Sequence, residues 1–188
     1  MNSFYTNEEL ENFNFKSFGT NVLISKKASI YGAANMSIGN NVRIDDFCIL
    51  SGNIKIGNCV HISAYCALYG KGGIEIGDYC GCSPRCTLFS ATDDFSGEFM
   101  ISPLVPEKYT NVISGPIIFE NFAQIGANSI VMPSVVLKEG SVSGTFSFIN
   151  KSLDEWCIYV GIPAKKLKDR KKNILELVKK FEKEVDEK

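Results

Sequence analysis

Few side chains in this 188-residue sequence have the chemistry of a catalyst. Asp93 and Asp94 stand side by side in the stretch SATDDFSG, residues 90–97. Paired carboxylates can draw in an ammonium ion, orient it and accept its proton, and each would raise the other's pKa toward that of a useful base. His61 is the only histidine. An imidazole, with an ordinary pKa of about 6.5, suits removal of a proton from a hydroxyl. Seven cysteines offer thiols, and CGCSPRC (residues 80–86) invites comparison with a metal site. No histidine lies beside it, however, and one histidine cannot supply a three-histidine zinc centre, so no metal is expected. TDDFSG is also good turn chemistry, so the aspartates have a purely architectural alternative.

The elements that must carry these residues follow a six-residue beat. Aliphatic residues recur at Ile38, Ile44, Leu50, Ile56, Ile62 and Leu68. After a two-residue slip at GKGG the beat resumes at Ile76, Cys82 and Leu88, and it returns at Phe119, Ile125, Val131 and Leu137. A small or compact residue follows four positions later, as at Val42, Cys48, Val60, Cys66, Cys80, Cys86, Ala123 and Ser129. A helix repeats at 3.6 residues and a strand at 2, so neither explains the pattern. Six suits a short flat strand plus a corner, with three such units closing a triangular coil. A single coil cannot bury its own faces, so a stack of coils is required. The expected fold is an all-β solenoid, a parallel β-helix. The cysteines at beat and corner positions are then small hydrophobes.

Both ends of such a stack need covers. Thr6 and Glu9 have capping-box spacing and predict a short helical cap within residues 1–20. Residues 21–164 carry the solenoid, with a loop inserted at about 94–118 where the beat is absent. Residues 165–188 form a tail and a helix whose Ile174, Leu177, Val178, Phe181 and Val185 share one face. A formal net charge of −1 gives no pull toward nucleic acid or anionic lipid. No apolar run approaches the ~20 residues that span a bilayer, so no membrane insertion is expected. The acidic start MNSFYTNEEL is unlike a signal peptide, and an odd number of cysteines fits reduced thiols in the cytoplasm.

Residues 114–170 carry a sharper signature, SGPIIFENFAQIGANSIVMPSVVLKEG continuing to GIPAKKLKDR. The segment resembles the end of the hexapeptide-repeat acyltransferases. The resemblance implies a left-handed β-helix, a homotrimer with active sites between subunits, and acetyl-CoA as co-substrate. It places the pantetheine arm against backbone near Gly126, Ala127, Gly144 and Thr145. The nucleotide end of the cofactor would then lie near Pro163, Ala164, Lys165 and Arg170. Small residues allow the close approach and cations suit its phosphates. Thr145 and Phe146 stand where the family often has Ala-Gly, which implies a groove of different shape.

Galactoside-type acetyltransferases of this family carry a catalytic histidine just before the long loop, and Asp93 aligns with it. A carboxylate of pKa about 3.9 is a poor base for a sugar hydroxyl but a good partner for an ammonium. Asp93, with Asp94, therefore points to N-acetylation of an amino sugar. The long loop resembles that of acetyltransferases acting on dTDP-linked amino-dideoxy sugars, which implies a nucleotide-sugar substrate and a place in bacterial surface glycan synthesis. Phe95, Phe99 and Tyr109 in that loop are candidates to stack on a base. An O-acetyltransferase with His61 as base and a non-catalytic scaffold are the alternatives.

Overall fold

The computed structural model describes residues 3–186, and it is a parallel β-helix of about seven turns. Each coil contributes one short strand to each of three faces. The first face stacks Ser17–Phe18, Met36–Ile38, Ile117–Phe119 and Val136–Leu137 with the second halves of two long strands, Ile49–Ile56 and Ala67–Ile76. The second runs from Val22–Ile24 through Val42–Ile44, His61–Ile62, Gly81–Cys82, Gln124–Ile125 and Val142–Ser143 to Cys157–Val160. The third holds Ser29–Tyr31, Thr87–Phe89, Ile130–Val131 and Phe148–Ile149 with the first halves of the two long strands. Those long strands turn the corner between third and first faces and merge them into one sheet.

The beat residues point inward and are buried, from Ile38 to Leu137. The compact residues four positions on are buried as well. They precede or follow corners built on left-handed residues, among them Asn41, Phe47, Tyr65, Tyr79, Phe122 and Phe146. Side chains with positive φ are usually costly, so each corner is held by its neighbours in the stack. At one column of corners Phe47 stacks on Tyr65 with centroids 5.0 Å apart, and Arg85 covers Tyr65. At another, Tyr79 lies parallel to Phe122 at 5.4 Å.

Helix α1 (Asn7–Glu11) closes the first coil, and its Leu10 is fully buried. The capping box forms as its spacing requires: the Thr6 hydroxyl accepts from Glu9 N–H, while the Glu9 carboxylate accepts from Thr6 N–H. Coiling begins at Ser17. At the other end Lys165–Asp169 turns back antiparallel on Cys157–Val160, so the first five residues of the expected tail belong to the sheet. Helix α2 (Ile174–Asp186) then descends beside the corner column of Tyr79, whose hydroxyl donates to Glu182 at 2.8 Å. Among the described residues no helix is long and apolar enough to cross a membrane.

One corner is opened by an excursion. Coiling stops at Phe89 and resumes at Ile117, so residues 90–116 leave the stack four residues earlier than the beat suggested. Ala91–Asp93 pairs antiparallel with Val112–Ser114 to make the stem. Ser90, fully buried, pins its base by donating to the Tyr69 carbonyl at 2.7 Å and accepting from Gly72 N–H at 2.8 Å.

Candidate active site

Asp93 ends the first stem strand, opposite Val112. It lines a cavity of about 740 Å³ between the excursion and the third face, together with Tyr69, Lys71, Thr92, Ser102 and Glu107. Lys71 comes from the slip in the beat at GKGG. Irregularity there frees a corner residue to reach the loop, and that slip was the one sequence signal available for it. Tyr69 is the aromatic ring of the cavity, stacked on Phe89 at 5.4 Å. The loop aromatics Phe95, Phe99 and Tyr109 are all exposed and do not line it.

Asp94 is differently placed. Its carboxylate accepts from Ser96 N–H and from the Asn111 side-chain amide, each at 2.8 Å. These bonds, those of Ser96 first, hold its pKa below the usual carboxylate value. The expectation that the pair would push each other's pKa upward is therefore not met at Asp94. Hydrogen bonding to the charged form outweighs repulsion from an adjacent carboxylate. Asp94 closes an Asx turn while Asp93 faces the cavity.

His61 lies away from both, on the outward side of the second face. Its ring Nε2 is 2.7 Å from Asp45, whose other oxygen accepts from Arg43 at 2.7 Å. Burial pushes the Asp45 pKa up, but the bonds to Arg43 and His61 together bring it below its ordinary value. An ionised Asp45 only accepts, so His61 Nε2 is the donor of this bond. His61 and Ser83 line a second groove of about 340 Å³ with Ser63, Gly81, Gln124 and, from α2, Ile174.

The corner at the end of the second face forms a vertical column. Backbone N–H groups of Asp45, Ser63, Ser83, Gly126 and Gly144 each donate to a carbonyl of the next coil, at 2.8–3.0 Å. At the top of the column the side chains vanish. A Cβ on Gly126 would lie 2.4 Å from the Gly144 carbonyl carbon, and one on Gly144 would meet Val160 at 2.8 Å. The bare backbone edge of Gly126, Ala127, Gly144 and Thr145 is a shape that suits a thin pantetheine arm. Phe146, 64% exposed, stands beside it as a wall.

Pro163 and Lys165 lie at the same end of the stack, Lys165 exposed on the last strand. Arg170 is turned elsewhere. Its Nη1 donates to the carbonyls of Phe122 and Gly140 at 2.8 and 2.9 Å, and its guanidinium faces Trp156. That nitrogen anchors the tail to the corner column. Burial lowers the Arg170 pKa without threatening its charge.

The buried thiols of Cys48 and Cys80 are pushed up to about 12, chiefly by desolvation, so neither is a ready nucleophile. Among the described residues no three His, Cys, Asp or Glu side chains are gathered to hold a metal ion.

Residues 35–70 match the bacterial transferase hexapeptide (six repeats) family. The chain is 44% identical, over 92% of each protein, to the dTDP-4-amino-4,6-dideoxy-D-glucose acyltransferase of Escherichia coli. It is 52% identical to AntD, an N-acyltransferase of Bacillus cereus solved with dTDP and 3-hydroxybutyryl-CoA, with a TM-score of 0.97 over 99% of this chain and 100% of that one. AntD has also been solved as variants at one serine and at an aspartate ten residues further on, with dTDP or its amino-sugar adduct and coenzyme A. A hexapeptide-repeat acetyltransferase of Vibrio cholerae, 18% identical with a TM-score of 0.62 over 86% of this chain and 75% of that one, shares the fold. Aligned along nearly its whole length to such an enzyme, this chain belongs to the hexapeptide-repeat acyltransferases.

Proposed function

We propose that this acyltransferase moves the acyl group of an acyl-CoA, acetyl-CoA being the smallest donor, onto the amino group of a dTDP-linked amino-dideoxy sugar. One observation carries the reading: the Asp93 carboxylate faces a roomy cavity that also holds a cation, Lys71, and an aromatic ring, Tyr69. Such a set has a partner for each part of a nucleotide-linked amino sugar. Tyr69 offers a face for the base, Lys71 a charge for the diphosphate, and Asp93 a counter-ion for the ammonium. The relatives support it, since the E. coli enzyme is an acyltransferase of dTDP-4-amino-4,6-dideoxy-D-glucose. Ser83 and Asp93 are also ten residues apart here, the spacing of the serine and aspartate varied in AntD.

The protein works as a homotrimer, and the two grooves meet across a subunit boundary. The pantetheine arm descends the bare corner past Gly144 and Gly126, with Pro163 and Lys165 near the nucleotide end. Its thioester arrives at Ser83, one coil lower. A neighbouring subunit's excursion brings its own Asp93 to that point. Asp93 orients the ammonium and takes its proton, the neutral amine attacks the thioester carbonyl directly, and as the new C–N bond forms the C–S bond breaks, coenzyme A leaving as a thiolate that takes up the second nitrogen proton. Asp94 keeps the loop in shape. Arg170 contributes by fixing the last strand, through the carbonyls it already holds. The enzyme acts in the cytoplasm, supplying a precursor for surface glycan.

Mass spectrometry tests the reading. Incubation with acetyl-CoA and dTDP-4-amino-4,6-dideoxyglucose yields an acetylated sugar whose new bond withstands hydroxylamine, as an amide does. A labile ester, or transfer only to plain sugars, would sink the amine assignment.

A further inference from the structure

One corner of the coil carries a run of buried donors. The slot four residues after the beat, where the second face turns into the third, holds Cys48, Cys66, Cys86, Ser129 and Ser147, all buried. After beats on the other faces Val42, Val60, Ala123 or Val135 fills the same slot, so packing alone does not require a donor. These thiols and hydroxyls reach backbone carbonyls of the same corner. Cys48 Sγ donates to the Ser63 carbonyl and Cys66 Sγ to that of Ser83, each at 3.1 Å. Cys86 Sγ donates to the Gly126 carbonyl at 3.2 Å. The Gly144 carbonyl accepts from Ser129 Oγ at 3.2 Å and from Ser147 Oγ at 2.9 Å. Among the described residues none of these four carbonyls has a backbone donor.

Those donors set the direction of a peptide. In a trans peptide the carbonyl and the following N–H point opposite ways. With the Gly126 and Gly144 carbonyls held inward, the N–H groups of Ala127 and Thr145 face out of the bare corner, and neither has a backbone acceptor among the described residues. The next rung down is Pro84, which has no N–H. Two donors, one coil apart, are left for a ligand. Coils are about 4.8 Å apart. The two amide carbonyls of a pantetheine arm are four bonds apart, about 4.8 Å when extended. An even number of bonds also turns both oxygens to one side.

We propose that Cys86 and Ser129 are positioning residues for the acyl donor. From inside the coil they hold the Gly126 and Gly144 carbonyls inward, and so aim the Ala127 and Thr145 N–H groups at the pantetheine amides. Ser129 Oγ also accepts from Ser147 N–H at 3.2 Å, so it steadies the second donor to Gly144 as well. A buried carbonyl that loses its donor turns toward water, and the N–H of its peptide swings away from the arm. Hydroxyl and thiol both donate, which explains why serine and cysteine share this slot. The inference rests on the acyltransfer reading above and names what shapes its donor groove.

Titration calorimetry tests this by comparing coenzyme A with adenosine 3′,5′-bisphosphate, its nucleotide end without the arm. Cys86→Ala and Ser129→Ala should each weaken coenzyme A about three- to tenfold, the scale of one hydrogen bond, and leave the bisphosphate within about twofold. Exchanging the two donors should rescue binding, so Cys86→Ser and Ser129→Cys should hold coenzyme A within about twofold of the wild type. Cys86→Val keeps bulk without a donor, should behave like Cys86→Ala, and carries the test if an alanine variant does not fold. Unchanged coenzyme A affinity in the variants without a donor overturns the proposal. So does an equal loss for both ligands, which would make the two residues merely structural, and so does failure of both exchanges to restore binding. A wild-type protein that binds neither ligand would instead bring down the acyltransfer reading, and this inference with it.

Discussion

Along the coils every beat residue is buried, whereas in residues 90–116 Leu104 is 93% exposed and Phe95 75%. The stack buries its apolar surface by repetition, each coil offering the next the same face. The excursion has no coil above it to cover such side chains, and it is held instead by a two-strand stem, Ser90 and the Asp94 turn. The difference teaches where each kind of residue does its work. In the stack a side chain matters through packing. In the excursion it matters through what it presents to a ligand. Substitutions in the two regions should therefore fail in opposite ways.

Leu68→Ala tests the stack most severely. Leu68 is fully buried, and its truncation should cost about 2–5 kcal/mol of stability, read from denaturant unfolding. The protein that stays folded should keep its acyl-CoA affinity, and a large change there would blur the division. Arg170→Leu comes next. It strips two carbonyls of their donor and should cost about 1–3 kcal/mol, with release of α2 visible in hydrogen exchange. A loss confined to acyl-CoA binding, with stability intact, would return Arg170 to the cofactor.

In the excursion the signature reverses. Asp93→Asn should lower kcat at least tenfold and leave thermal stability and acyl-CoA affinity nearly unchanged. Unaltered turnover would remove Asp93 from the chemistry. Asp94→Asn should do less, raising KM for the sugar nucleotide a few-fold through a looser turn, since an amide oxygen still accepts from Ser96. Equal kcat losses in the two variants would mean that the pair acts as a unit.

The smallest effect is in acid. The Asp45 pKa is lowered in the fold, so the stability it supplies is fully present above its unfolded value of about 3.9 and is lost as pH falls through the folded value. Asp45→Asn should flatten that part of the acid-unfolding profile by less than about 1 kcal/mol, and an unchanged slope would argue against the Arg43–Asp45–His61 chain.

The capping box at Thr6, the beat, the corner cysteines and the place of the excursion were all legible because each depends on residues close in sequence. The bare corner at Gly126 and Gly144 was legible only through resemblance, since glycine in a list does not say what stacks against it. Lys71, Tyr69 and Ser83 gave little sign of themselves. Their meaning lies in neighbours that come from other coils.

Sequence by itself determined the period, and the period determined the coil, because only a six-residue unit puts one apolar side chain on each flat side of a triangle. It also determined that two aspartates stand at the break. Which one faces the cavity and which closes a turn, whether Arg170 reaches a phosphate or a carbonyl, and which proton His61 holds were decided by tertiary structure. A bond donated by Ser96 N–H to Asp94, and bonds accepted by the Phe122 and Gly140 carbonyls from Arg170 and by the Asp45 carboxylate from His61, settle those questions. Such partners are chosen by distance in space, which a linear order of residues does not record.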